Sequence, residues 1–198
     1  MNRSQSTALG FLLVLASACH VPNLWAADAH REKPLKVGEK GDNFTLQSLG
    51  GEKVEFYKQL EKGPVVLLVL RGYPGYQCPI CSRQVVDYVR HAEGFAKLGA
   101  QVIMIYPGPS ENLQAKAEEF MAKTELPDNF LLLIDPDYEF TNLYALRWDA
   151  PQETAYPSTL VFDKEAVVKL AVVSKGHGGR TKADEALDAL KDSTAAAE

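Results

Sequence analysis

The sequence contains three cysteines, no excess of positive charge and no apolar segment long enough to cross a membrane. Lysine and arginine total 21 against 26 aspartates and glutamates, which gives a formal net charge of −5, and the cations are scattered along the chain. Nucleic acids and anionic membrane surfaces attract clustered positive charge, so neither is expected as a partner. The apolar run Ala8–Ala18 is far shorter than the roughly 20 residues of a membrane-spanning helix.

That apolar run is nevertheless typical of a secretory signal, because it is short and follows a cation. Two cleavage sites fit the sequence. Ala27–Ala29 follows the small-x-small rule and leaves a soluble protein, whereas Leu15–Cys19 is similar to a bacterial lipobox and leaves a lipid on Cys19. Ala16 stands where a lipobox usually has leucine, which favours the soluble form. We therefore expect residues 1–29 to be removed and the protein to be exported to the periplasm, with membrane attachment only through a lipidated Cys19.

The remainder has the composition of one globular domain, with 46% hydrophobic and 24% charged residues in a chain of 198. We expect residues 30–192 to form it and 193–198 to be a frayed tail. The pattern predicts strands at Asn43–Leu49, Lys53–Phe56, Val65–Leu70, Gln101–Tyr106, Phe130–Ile134, Ser158–Asp163 and Val167–Val173. It predicts helices from Pro79 to Gly99, from an N-cap at Ser110 to Lys123, from Asp137 to Leu146, and from a T-x-x-D cap at Thr181 onward. This alternation indicates an α/β fold, with a mixed sheet covered by helices on both faces.

Two cysteines remain in the mature domain, because Cys19 is either removed or lipidated. Cys78 and Cys81 lie after the apolar strand Val65–Leu70 and in the first turn of the next helix, where open α/β sheets place their sites. Unpaired N–H groups and the helix dipole favour a thiolate there. Residues three apart on a helix have Cβ atoms about 5–6 Å apart, and a disulfide needs about 3.5–4.5 Å. A small adjustment therefore closes the bond, and the pair is predicted to cycle between dithiol and disulfide.

Three other interpretations of the pair are weaker. A structural disulfide would close a loop of only four residues and would restrain the unfolded chain little. A zinc site needs about four ligands, but there is no second CxxC, and His91 and His177 are the only histidines in the body of the domain. Two inert thiols would be exposed to oxidation outside the cytoplasm. We therefore expect no metal and no organic cofactor.

Three segments carry a resemblance to a known family. Val37–Leu46 is similar to the family's N-terminal segment, with Asn43 in place of the usual proline, and Gly50–Val54 is similar to its first hairpin. Tyr156–Asp163 is similar to the segment in which thioredoxin-like proteins hold a cis proline, here Pro157, facing the two cysteines. Over roughly residues 37–190 the chain resembles the thioredoxin fold and, more closely, its peroxiredoxin-like branch, alkyl hydroperoxide reductase/thiol-specific antioxidant. The resemblance implies a substrate-contacting role for Pro157.

The peroxiredoxin motif Pro-x-x-x-Thr/Ser-x-x-Cys is only partly kept. Pro74 and Cys81 stand at its ends, and Cys78 replaces the threonine, whose hydroxyl helps to position peroxide in the family. In this register Cys81 is the peroxidatic thiolate, which becomes a sulfenic acid that Cys78 resolves. In the thioredoxin register the roles are reversed: Cys78 is the nucleophile and Cys81 is its buried partner. The sequence fits both.

Two arginines are the expected sources of positive charge at the site. Peroxiredoxins use an arginine that follows the last strand to orient the thiolate, and Arg180 is similar in position. Arg71, directly after the central strand, is a second source of positive field. Tyr76 is expected to line the substrate pocket, while the glycine-rich segment around His177 is expected to be a flexible connection in which the histidine has no role.

The function implied by this resemblance is that of an exported antioxidant oxidoreductase, which reduces hydroperoxides and is regenerated by a thioredoxin-like reductant. One alternative is a thioredoxin-like enzyme that acts on disulfides of protein substrates. A second is a copper-handling module of the same fold, although such modules have three residues between their cysteines and this chain has two.

Overall fold

A seven-stranded mixed sheet forms the centre of the computed structural model, which describes residues 31–195. The strands are β1 (Thr45–Ser48), β2 (Lys53–Glu55), β3 (Val65–Val69), β4 (Gln101–Gly108), β5 (Phe130–Pro136), β6 (Ser158–Phe162) and β7 (Val168–Val173), in the spatial order β2-β1-β5-β4-β3-β6-β7. β4 runs parallel to both β3 and β5, and the other pairs are antiparallel. The predicted mixed α/β sheet is confirmed. The expected signal segment and Cys19 lie outside the described residues.

Helices cover both faces of this sheet. They are α1 (Phe56–Leu60), α2 (Pro79–Arg90), α3 (Ala92–Lys97), α4 (Leu113–Met121), α5 (Glu139–Leu143) and α6 (Ala183–Ala195). Side chains alternate along a strand, so Val66 and Leu68 of β3 face a core built with α2, α3, α4 and α6, while Val65 and Leu67 face one built with α1 and α5. Every residue of β3 is buried, which explains its unbroken apolar sequence. Within the described range, no helix is both long and apolar enough to cross a membrane.

The helix predicted from Pro79 to Gly99 is two helices that meet at His91. The ring Nδ1 of His91 lies 2.8 Å from the carbonyl oxygen of Asp87, the acceptor that a continuing helix would use for the His91 N–H. That N–H bonds instead to the Tyr88 carbonyl, at 3.0 Å, which tightens the last turn. The prediction of one continuous helix is therefore wrong.

The starts of α4 and α6 also differ from the prediction. α4 begins at Leu113 after Asn112, whose φ of 60° is left-handed, and Ser110 does not cap it. The Thr181 hydroxyl does not cap α6 either, since it is buried and has no hydrogen-bond partner among the described residues. A carboxylate of α2 takes over this function: Asp87 Oδ2 accepts the N–H of Ala183 at 2.9 Å. α6 then continues to residue 195, three residues into the expected tail.

Candidate active site

The loop that carries the cysteines leaves β3 and packs against the end of β4. Gly72 has a φ of 66°, a backbone angle that residues with a side chain adopt only with strain. A Cβ atom at this position would lie 1.8 Å from the carbonyl oxygen of Pro107. The next residue, Tyr73, donates its N–H to that same oxygen at 3.0 Å. Glycine at position 72 therefore allows the loop to turn directly onto the sheet edge.

Cys78 caps the N-terminus of α2 with its sulfur. The Cys81 N–H donates to Cys78 Sγ at 3.4 Å, in the way a serine or threonine oxygen accepts at an N-cap, and Pro79 occupies the first helical position. Both residues hold free thiols. Cys78 is 3% exposed and Cys81 is 1% exposed, so each sulfur depends on protein groups rather than water for its polar contacts.

The two sulfurs have opposite tendencies to ionise. The Cys81 S–H bonds to the Cys78 sulfur and, together with backbone N–H groups and the charge of Arg180, lowers the pKa of Cys78 to about 5 although burial opposes this. The same hydrogen bond, with burial, raises the pKa of Cys81 well above its ordinary value. These contacts favour a thiolate on Cys78 and a thiol on Cys81.

Arg180 lies where it contacts the charged sulfur. Its Nη2 is 3.8 Å from Cys78 Sγ, its Nη1 donates to Gln84 Oε1 at 3.0 Å, and its Nε donates to the His177 carbonyl at 3.0 Å. Gln84, a buried residue of α2, also donates to the Thr181 carbonyl at 3.3 Å. Gln84 therefore joins the helix of the cysteines to the segment of Arg180, a contact that no motif in the sequence indicates.

Arg71 contributes its backbone, rather than its charge, to the sulfurs. Its N–H donates to Cys81 Sγ at 3.4 Å. Its guanidinium bonds to Glu153 Oε2 at 2.6 Å, to the Gln152 carbonyl at 2.6 Å and to the Tyr76 hydroxyl. The expectation that the guanidinium supplies positive field to the cysteines is corrected accordingly, because a carboxylate already neutralises it.

The Glu153 carboxylate bonds to two separate segments at this site, one at Arg71 and one at His177. Besides Arg71, it bonds through Oε1 to His177 Nε2 at 2.9 Å, and the His177 ring lies 5.4 Å from that of Trp148. Burial alone would raise the pKa of Glu153, but the bonds from Arg71 and His177 outweigh it and lower that pKa. His177, for which the sequence predicts no role, is thus tied to the network around the cysteines.

The three remaining predicted residues occupy the border of the site. Tyr76 is 45% exposed, with its ring centre 4.9 Å from the Arg71 guanidinium carbon. Pro74 is half-buried and faces an open cleft together with Tyr73 and Glu153. Pro157 lies beside Arg180 in a narrow pocket, but no peptide bond of the described residues is cis. The expected cis proline is therefore wrong. The segment enters β6 with the Pro157 carbonyl accepting the Ser174 N–H at 2.9 Å.

Comparison with known proteins identifies the family of this site. The model of the AhpC/TSA family matches residues 37–171, more than half of the chain. The chain belongs to the AhpC/TSA family. In the described part of this family member, no group of three or more histidine, cysteine or acidic side chains is arranged to hold a metal ion.

Two curated relatives agree with this assignment. Peroxiredoxin Bcp of Bacillus subtilis is 29% identical over 167 residues, which cover 80% of this chain and 96% of the relative. Chloroplastic peroxiredoxin Q of Arabidopsis thaliana is 32% identical over 161 residues, which cover 79% and 68% of the two chains. The AhpC/TSA chain is thus a peroxiredoxin-like thiol oxidoreductase.

Solved structures show the same fold. Peroxidoxin BcpB from Mycobacterium tuberculosis superposes with a TM-score of 0.62 at 22% identity, over 80% of this chain and 97% of that one. A yeast mitochondrial 1-Cys peroxiredoxin gives a TM-score of 0.67 at 18% identity, over 82% and 78%. Both likenesses support a thioredoxin-like fold for the AhpC/TSA chain, as the sequence predicted.

The position of Arg180 leads to a prediction about pH. Replacing Arg180 by alanine removes a cation next to the Cys78 thiolate, so we expect the pKa of Cys78 to rise by about one unit from its value of about 5. The alkylation rate of Cys78 should then begin to fall at a correspondingly higher pH. Iodoacetamide labelling between pH 4 and 8, with peptide mapping, measures this. Lys175→Ala, which removes an exposed cation from the same loop, should leave the profile unchanged.

Proposed function

We propose that this chain is a hydroperoxide reductase in which Cys78 attacks the peroxide and Cys81 resolves the product as a Cys78–Cys81 disulfide. The observation that carries the proposal is the N-cap thiolate: Cys78 Sγ accepts the Cys81 N–H and lies 3.8 Å from Arg180. A thiolate is the form of cysteine that attacks an O–O bond, and the charge of the pair rests on Cys78. This order of roles differs from the peroxiredoxin register, in which Cys81 attacks first.

The proposed reaction has two steps. The Cys78 sulfur attacks one peroxide oxygen, an S–O bond forms, the O–O bond breaks, and the leaving oxygen takes a proton from solvent to become an alcohol or water. The Cys81 sulfur then attacks the Cys78 sulfenic acid, an S–S bond forms, and the departing hydroxide takes the thiol proton and leaves as water. Two thiols have supplied two electrons. Arg180 stabilises the anion before the first step, and the Arg71 N–H stabilises negative charge on Cys81 during the second.

The stoichiometry tests this function. Reduced protein mixed with one equivalent of hydrogen peroxide should consume it, lose two titratable thiols and yield one peptide pair linked through Cys78 and Cys81. The double variant Cys78→Ser/Cys81→Ser is the matched control and should consume none. Persistence of both thiols in the wild type after the peroxide assay would contradict the proposal.

A second candidate function is thiol–disulfide exchange with protein substrates. A low-pKa N-cap cysteine followed by a buried partner thiol of raised pKa also suits attack on a disulfide. A competition experiment separates the two functions. Reduced protein is offered equal concentrations of hydrogen peroxide and a disulfide-containing peptide, and we expect peroxide to be consumed first. Preferential reduction of the peptide would favour the second function.

We also propose that the protein is exported to the periplasm, and the support for this comes from the sequence of residues 1–29 alone. Mass spectrometry of the mature N-terminus from the cell envelope tests this. A chain that begins near residue 30 supports export as a soluble protein, one that begins at lipidated Cys19 supports an anchored protein, and an intact cytoplasmic chain contradicts both.

A further inference from the structure

The outer face of α2 carries a row of exposed side chains that no part of the proposed reaction uses. Pro79, Arg83, Val86 and Arg90 follow each other at spacings of four, three and four, so they lie on one side of the helix, and all four are exposed. We call this row the α2 stripe. It begins one residue after Cys78 and, at about 1.5 Å per residue, extends about 16 Å along the helix axis.

The two arginines of the α2 stripe have no acidic partner within residues 31–195. Neither Arg83 nor Arg90 takes part in an ion pair there, and the acidic side chain between them, Asp87, is engaged elsewhere. One oxygen of Asp87 accepts the Ala183 N–H, and the other lies 3.5 Å from the His91 ring. In a chain of net charge −5, this stripe therefore offers positive charge that a partner can neutralise.

The surface between these arginines exposes an apolar side chain. Val86 is 36% exposed and lies in a shallow groove of roughly 430 Å³, with Ser82, Arg83, Arg90 and the half-buried Asp87 along its sides. At the cysteine end, Ile80 in the first turn of α2 is half-buried, and Tyr76 in the loop before α2 is exposed. Exposed apolar side chains bordered by unpaired cations are typical of a protein-binding surface rather than of a site for a small peroxide.

We propose that the α2 stripe is the docking site for the acidic face of a dithiol protein reductant of thioredoxin type, which reopens the Cys78–Cys81 disulfide. This rests on the proposed function, since that function creates the disulfide. A thiolate of the reductant attacks the Cys78 sulfur, and Cys81 leaves with the electron pair and takes a proton. The second thiol of the reductant then attacks the mixed disulfide and releases the Cys78 thiolate. The reductant ends as a disulfide, having passed on two electrons.

Docking on the α2 stripe explains how a protein reaches this bond. The cysteines of the reduced state are at most 3% exposed, so a protein must be held close to the helix N-terminus to find them. The helix dipole and Arg83 both present positive charge to an approaching acidic surface. A small dithiol needs no such docking, and this difference makes the proposal testable.

The test compares Arg83→Glu/Arg90→Glu with the wild type. Each protein is first oxidised to the disulfide with a chemical oxidant, so the assay does not depend on peroxidase activity, and is then reduced by an acidic bacterial thioredoxin or by dithiothreitol. We expect the double variant to lose about tenfold or more in its rate constant with thioredoxin and to show a weaker salt dependence. Its rate with dithiothreitol should be unchanged.

Lys53→Glu is the control, because it reverses an exposed cation on the edge strand β2, which three strands separate from β3, the strand that precedes α2. It should react with thioredoxin as the wild type does. Equal thioredoxin rates for the double variant and the wild type would overturn the docking proposal, as would a wild type that dithiothreitol reduces and thioredoxin does not. Failure of the proposed function has a different signature, namely no peroxide consumption with either reductant.

Discussion

Replacing Cys78 by serine is expected to lower the rate constant for reaction with hydrogen peroxide by roughly 10³-fold or more, because a hydroxyl is a far weaker nucleophile than a thiolate at neutral pH. The Cys81 thiol that remains is buried, and burial raises its pKa and so opposes formation of a thiolate there. Cys81→Ser should behave differently. Its serine hydroxyl still donates to Cys78, so the variant should react once and keep a sulfenic acid on Cys78 that no thiol can resolve.

A sulfenic-acid probe added after one equivalent of peroxide measures both results, and peptide mapping locates the label. The double serine variant supplies the background. Labelling of Cys81 in Cys78→Ser, with none on Cys78 in Cys81→Ser, would assign the nucleophile to Cys81, as the peroxiredoxin register implies, and would contradict the role that the N-cap geometry supports.

Replacing Gly72 by alanine is expected to destabilise the protein by about 3 kcal/mol or more. The new Cβ atom would lie 1.8 Å from the Pro107 carbonyl oxygen, which cannot yield without breaking its hydrogen bond to Tyr73, and the φ of 66° adds strain. The loop would have to leave the end of β4. Because Arg71 donates to Cys81 from the adjacent position, any protein that still folds should also show a higher pKa for Cys81.

Gly176→Ala is the matched control for this substitution. Position 176 lies in the segment that precedes Arg180, has no left-handed φ, and has open space where a Cβ would be. Its free energy of unfolding should stay within about 0.5 kcal/mol of the wild type in urea denaturation. If Gly72→Ala also stayed within that margin, the close approach of the loop to β4 would not be a constraint on the fold.

The fold was predictable because its signals are local. The apolar run of β3 and the alternation of strands with amphipathic helices fix the sheet, and Cys78 and Cys81 are three residues apart in one motif. The helix ends were less predictable. Side chains distant in sequence decide them, as when Asp87 of α2 takes the place of Thr181 at the start of α6.

The residues that support the cysteines were not predictable for the same reason. Glu153 lies 82 positions from Arg71, and Gln84 lies 96 positions from Arg180, so no spacing rule connects either pair. An arginine directly after the central strand was visible in the sequence, but the direction of its guanidinium depends on a carboxylate from another loop. Only the folded chain shows that Arg71 presents its N–H to the sulfur while its charge is neutralised.

The hydrogen bonds that hold the Cys78 anion also set the energetic balance between the two redox states. A disulfide sulfur carries no negative charge, so the contacts from Cys81 and Arg180 favour the dithiol form over the disulfide. Stabilising the reduced form makes the reduction potential of the couple less negative. The oxidised protein is therefore a comparatively strong oxidant, which mild thiol donors can reduce. The contacts that make Cys78 reactive toward peroxide thus also make the Cys78–Cys81 disulfide easy to reduce.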